Sequence, residues 1–137
     1  MTAAAPVLTA APASGDFRAR LDGPILSFPT PYRADGAVDY AAVRRIIEQG
    51  VRGGVRVVTL TRGNNHYDWL TWQEIRDLTR TMVETVSGRP LTIAATGGWP
   101  TMQSVEYARY AAEVGADAVQ VNPPAEGSDE SLAEHFR

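Results

Sequence analysis

The chain predicts an α/β domain built on a parallel sheet, and three features of its 137 residues lead there. Short β-branched, apolar runs alternate with longer stretches whose apolar positions recur every three or four residues. The runs open near positions 24, 55, 90 and 117, spacings of 31, 35 and 27 residues, each the length of a βα unit. Composition agrees, since 44% hydrophobic and 21% charged residues exclude fibrous and wholly disordered classes. Four such units in series predict parallel strands with right-handed crossovers.

The first strand candidate is Gly23-Pro24-Ile25-Leu26-Ser27-Phe28, stopped by Pro29 and Pro31. After the loop Tyr32 to Gly36, Asp39 is placed to cap a helix with apolar positions Ala42, Val43, Ile46, Ile47 and Val51, closed by Gly53 and Gly54. Arg56 to Leu60 is the second strand. A loop from Thr61 to Leu70 leads to Thr71-Trp72-Gln73-Glu74, a capping box, and a helix carried by Ile75, Leu78, Met82, Val83 and Val86 up to Gly88. Pro90 to Ala95 is the third strand. Thr96-Gly97-Gly98-Trp99-Pro100 turns into a helix capped by Thr101, with Val105, Ala108, Ala111 and Ala112 facing inward and Gly115 at its close. Ala116 to Val121 is the fourth strand, and a last helix begins near Ser128 or Asp129. Residues 1–22 read as a flexible Ala/Pro-rich tail, because Met1 to Gly15 carry no charged side chain and are broken by Pro6 and Pro12. They lack the basic start and unbroken apolar stretch of a secretory signal, so cytoplasmic residence is the expectation.

Charge and residue usage narrow the chemistry. Sixteen acidic residues against thirteen basic ones give a net charge of −3, which argues against nucleic acid or an anionic membrane as partner. All thirteen basic residues are arginine, so the chain holds no lysine. It holds no cysteine either, which removes disulfides, thiolate catalysis and thiolate-bound metal. His66 and His135 show no ligand spacing, no metal or cofactor is expected, and no run reaches the roughly 18 apolar residues of a membrane span.

Several stretches resemble the dihydrodipicolinate synthase and N-acetylneuraminate lyase family. They are Gly23-Pro24-Ile25 to Tyr32, Asp35-Gly36-Ala37-Val38-Asp39-Tyr40 with Arg44 to Glu48, Gly53-Gly54-Val55, Ile93 to Gly97, and Gly115-Ala116-Asp117-Ala118-Val119. The resemblance runs over nearly all of Gly23 to Arg137. It implies a (β/α)8 barrel, homo-oligomeric assembly, and class I aldolase or lyase chemistry on pyruvate or a related 2-oxo acid through a Schiff base. Such a barrel takes about 250 residues, so residues 23–137 would supply the amino-terminal half, four βα units. The imine-forming lysine on the sixth strand and the proton-shuttling tyrosine on the fifth would lie beyond Arg137, so the chain alone is expected to be inactive. An iminium ion is a far better electron sink than a ketone, and no other side chain here replaces the amine. An open flavodoxin-like sheet is the runner-up, but Pro29-Thr30-Pro31-Tyr32 after the first strand suits a barrel mouth better than a phosphate loop.

In the family the loop after strand two reads Gly-Thr-Thr-Gly-Glu, matched here by Leu60-Thr61-Arg62-Gly63-Asn64. By that correspondence Thr61 keeps the proton-relay hydroxyl, and Arg62 with Gly63 occupies the substrate-binding position. Arg62 replaces a carboxylate-binding threonine; a guanidinium grips a carboxylate more strongly than a hydroxyl does, so an altered acid-binding site is one reading. A surface arginine in a drifted loop is the other. The following segment Asn64 to Trp69 is about two residues longer than the family's. His66 lies within reach of neutral-pH acid or base work, but with no partner assignable a solvent-facing or locally hydrogen-bonded ring is the favoured reading. Trp69 and Trp72 are expected to pack around the start of the helix, and Thr96-Gly97-Gly98 to be a structural turn at the barrel mouth. Where many members have Pro-Tyr-Tyr, this chain has Pro123-Pro124-Ala125, and the missing hydroxyl weakens the expectation of the synthase reaction itself. A non-catalytic half-barrel that pairs with itself or another chain is the alternative from a different class.

Overall fold

The structure, a computed structural model, describes residues 16–137. Four parallel strands, β1 (Ile25–Ser27), β2 (Val57–Thr59), β3 (Leu91–Ala95) and β4 (Ala118–Gln120), lie in the order β1-β2-β3-β4. Between them run α2 (Tyr40–Arg52), α3 (Trp72–Val86) and α4 (Thr101–Glu113), with α5 (Asp129–His135) last. A short helix, α1 (Asp16–Arg20), precedes β1 within the stretch assigned to the tail, and Arg20 reaches Asp117 at 3.9 Å. Residues 1–15, the rest of that tail assignment, lie outside the described residues.

Register sorts the strand residues into two faces, because side chains alternate along a strand. Leu26, Val58 and Thr92 are aligned, as are Ala94 and Val119, and Leu26, Val58, Ala94 and Val119 belong to the packing against the helices. Ser27, Thr59, Ile93 and Ala118 form a row on the opposite face, the side a closed barrel would enclose. The helix-side core is completed by Val43 and Ile47 of α2, Ile75, Leu78, Met82 and Val86 of α3, and Tyr107 and Ala111 of α4.

Local signals explain most element boundaries. The Asp39 carboxylate accepts from the Ala42 amide at 2.8 Å and starts α2. At α3 the box is complete: the Thr71 hydroxyl accepts from the Glu74 amide while Glu74 accepts from the Thr71 amide. Gly115 ends the unit after α4 with φ +93°, a conformation cheap only without a Cβ.

The start and the buried face of α4 depart from the expectation. Pro100, not Thr101, is its N-cap residue and makes no side-chain cap; the Thr101 hydroxyl is instead 2.9 Å from His135 Nδ1 on α5. The buried face is Ser104, Tyr107, Tyr110 and Ala111, while Ala112 is exposed. Two tyrosines bury far more apolar area than alanines, and each finds a partner for its hydroxyl: Tyr107 meets Thr79 at 2.7 Å and Tyr110 donates to the Arg76 carbonyl at 2.9 Å.

Candidate active site

The carboxyl ends of the strands open onto one cavity of about 440 Å³. Thr61, Arg62 and Gly63 form one wall, Gly98 and Ala95 another, and Gln120, Asn122 and Ala125 a third. The three residues singled out from the loop after strand two therefore meet at one place. Ala125 faces the same space.

Thr61 is held from two directions. Its hydroxyl lies 3.1 Å from the Ser27 hydroxyl, and its amide donates to Asn65 Oδ1 at 2.8 Å. Asn65 is fully buried and donates from Nδ2 to the Phe28 carbonyl at 3.1 Å, while the Thr30 hydroxyl donates to its backbone oxygen at 2.9 Å. One amide side chain thus ties the loop after β2 to the end of β1. Asn64 Nδ2 donates to the Ser27 hydroxyl at 2.9 Å, leaving that hydroxyl's proton free to point at Thr61.

Arg62 is exposed, and its Nη2 alone contacts both Asp68 oxygens, at 3.1 and 3.2 Å. Nη1 approaches Gly98 so closely that a Cβ there would sit 3.3 Å from it. Gly63 is open, with nothing within 4 Å of where a Cβ would stand.

Around the cavity the structure separates two aromatic groups. Trp72 packs as expected, edge-on to Trp99 with centroids 5.0 Å apart, in a cluster with Tyr67 and Tyr107. Burial raises the Tyr67 phenol well above its ordinary range, and its hydroxyl donates to the Ala95 carbonyl at 3.0 Å. Trp69 does not pack: it is 75% exposed, and its indole lies parallel to the His66 ring at 4.7 Å. The reason is the 3-10 turn Tyr67–Trp69, which spends its inward position on Tyr67 and turns Trp69 outward. His66 adopts a left-handed backbone, φ 53° and ψ 50°, and faces solvent. Thr96 behaves as a structural turn residue, its hydroxyl accepting from the Asn122 amide at 2.8 Å. Sequence reasoning passed over Ser27, Asn64 and Asn65; nothing in the run Asn64-Asn65-His66 marks which polar side chain will be buried. Among the described residues no group of three or more His, Asp or Glu is arranged to hold a metal ion, and no helix is long and apolar enough to cross a membrane.

The model of the dihydrodipicolinate synthetase family matches residues 20–137. The chain belongs to that family. Among the curated members, the 4-hydroxy-tetrahydrodipicolinate synthase of Leptothrix cholodnii is 31% identical over 120 residues, 84% of this chain and 40% of that protein. The enzyme of that name from Anaeromyxobacter dehalogenans strain 2CP-C is 34% identical over 120 residues, 86% of this chain and 40% of that one. The crystal structure of dihydrodipicolinate synthase from Aquifex aeolicus superposes with a TM-score of 0.78 at 33% identity, covering 83% of this chain and 39% of that one. A putative dihydrodipicolinate synthetase from Pseudomonas aeruginosa gives 0.77 at 29% identity, over 82% and 39%. The chain spans about 40% of the length of the synthetase-family relatives it matches. Its four βα units are accordingly a half-barrel of the (β/α)8 fold.

Proposed function

We propose that these residues form the amino-terminal part of a family lyase or aldolase acting on pyruvate or a related 2-oxo acid through a Schiff base. The amine for that step is supplied by sequence other than these 137 residues, which contain no lysine. The observation that carries the reading is the cavity at the carboxyl ends of the strands, walled by Thr61, Arg62 and Gly63, the face where barrels of this fold bind their ligands.

Within that reading Thr61 handles a proton. Its hydroxyl touches a second hydroxyl, Ser27, so it can accept a proton on one side while donating on the other. Arg62 and Gly63 receive the acid end of the substrate, Arg62 through Nη1, the nitrogen beside Gly98 on the cavity wall, since Nη2 is engaged by Asp68. Ala125 cannot supply the hydroxyl that many members place at that position, so the reaction proposed is a 2-oxo acid cleavage or condensation other than the synthase reaction. The test is borohydride trapping with pyruvate on a protein in which this chain is continued by a lysine-bearing half. A covalent adduct that weakens when Arg62 is replaced by Gln supports the assignment; a completed protein that stays unlabelled removes the imine.

A second reading rests on the sheet edges. Among the described residues β1 and β4 each have one neighbour, while Ile25 is 60% and Val121 42% exposed. The chain would then be a non-catalytic half-barrel that pairs with itself or with another chain through those edges. Sedimentation decides it, because a well-folded monomer that binds no hydrophobic dye excludes obligatory pairing.

A further inference from the structure

Next to the strand-end cavity lies a second concavity of about 360 Å³, lined by Arg62, Gly63, His66, Asp68 and Trp69. We propose that it binds a planar aromatic carboxylate, its ring stacked on the Trp69 indole and its carboxylate on the Arg62 guanidinium. The proposal is independent of the imine reading, because no part of it uses an amine.

Four observations carry it. One face of the Trp69 indole is covered by the parallel His66 ring, yet the residue remains 75% exposed, so the opposite face is bare. The turn that carries the indole is also anchored. The residues on its amino-terminal side are pinned by the buried Asn65 and Tyr67, whose side chains bond to the carbonyls of Phe28 and Ala95. A bare aromatic face on an anchored turn offers stacking at little ordering cost.

The third observation is the cation. Arg62 lines both concavities, and only its Nη2 is taken, that one nitrogen contacting both Asp68 oxygens. Nε has no hydrogen-bond partner among the described residues, so it is left to donate a single bond to one oxygen of a carboxylate. The fourth is size, since about 360 Å³ falls in the range of small-molecule sites and admits one small ring. Asp68 competes with an incoming anion for Arg62, so a small anion with no ring gains little and stacking must supply the rest.

The experiment is a titration of the full 137-residue chain, labelled at its indole nitrogens, with benzoate, cyclohexanecarboxylate and benzyl alcohol. The Trp69 indole signal should shift saturably with benzoate, whereas the saturated acid and the uncharged alcohol should each bind about fivefold more weakly. In calorimetric titrations, which need no Trp69 signal, Trp69→Phe should keep benzoate affinity within about twofold, and Trp69→Leu should lose about fivefold. Arg62→Gln should weaken benzoate and leave benzyl alcohol unchanged, while Asp68→Asn should tighten benzoate about threefold by removing the competing carboxylate. Equal affinities for benzoate and cyclohexanecarboxylate would overturn the stacking role, and an unaltered affinity in Arg62→Gln would overturn the carboxylate's place. A Trp69 shift that follows chain concentration without benzoate would show a second copy on this surface instead. No pyruvate is present in the titration, so its outcome is separate from that of the trapping experiment.

Discussion

Removing the Asn65 side chain should loosen the Thr61 loop more than any other single truncation in it. Asn65→Ala deletes the acceptor of the Thr61 amide at 2.8 Å and the donor to the Phe28 carbonyl at 3.1 Å. Phe28 is fully buried, so its orphaned carbonyl costs about 1–3 kcal/mol; the Thr61 amide is partly buried and adds about 1 kcal/mol. The sum is about 2–4 kcal/mol, before any loss of packing around a residue that was itself fully buried. Asn65→Asp should fare no better, since it restores an acceptor for Thr61 but sets a carboxylate against the Phe28 carbonyl. Asn64→Ala is the control: its side chain is exposed and bonds mainly to Ser27, so the loss should stay within about 1 kcal/mol. Urea titration gives the global change, and hydrogen exchange at the amides of Asn65 and Tyr67, bonded to the carbonyls of Thr61 and Arg62, gives the local one. A loss below about 1 kcal/mol with unchanged exchange at those amides would refute the assignment of Asn65 as the tie between β1 and the loop.

Other outcomes follow from the same contacts. Thr71→Ala should cost about 1 kcal/mol in urea titration by opening the capping box of α3, and Thr71→Ser should restore most of it. A Cβ at Gly97 would collide with the Trp99 indole, so Gly97→Ala should destabilise by about 1–3 kcal/mol and alter tryptophan emission, whereas Gly63→Ala, facing open space, should change stability by less than about 0.5 kcal/mol. Burial lifts the phenols of Tyr67, Tyr107 and Tyr32, and that of Tyr40 to about 12. Folded tyrosines then keep protons that the unfolded chain sheds near pH 10, so the stability they contribute is complete below pH 10 and is lost as pH rises toward 12. Tyrosinate absorbance followed against pH should lag the unfolded reference and rise with unfolding, and titration of all five tyrosines near pH 10 without loss of structure would contradict it.

Much of this architecture was legible before any coordinates. Strands and helices fell where short apolar runs and three-to-four-residue spacing placed them, because Val57, Val58 and Leu91 or Ile75, Leu78 and Met82 are apolar for a reason local to each segment. The capping residues Asp39 and Thr71 were legible for a similar reason: their bonds reach only three residues along the chain. Side-chain choices among equivalent neighbours were not. On α4 the alanines at 108 and 112 and the tyrosines at 107 and 110 fit a helical stripe equally well, and partners at Thr79 and the Arg76 carbonyl on another helix settled the face.

Residue types and their order were enough to establish four βα units, the placement of Thr61, Arg62 and Gly63 after the second strand, and the lack of any lysine to form an imine. Which side chains meet there was decided only in three dimensions. Asn65 inward, Trp69 outward, Ser27 against Thr61 and Asp68 on Arg62 join positions that six to 37 residues can separate, as the bonds from Arg62 to Asp68 and from Asn65 to Phe28 show. A local pattern carries no energy for such contacts; they arise when the parallel sheet brings the ends of β1 and β2 side by side and leaves one loop to satisfy the polar groups between them.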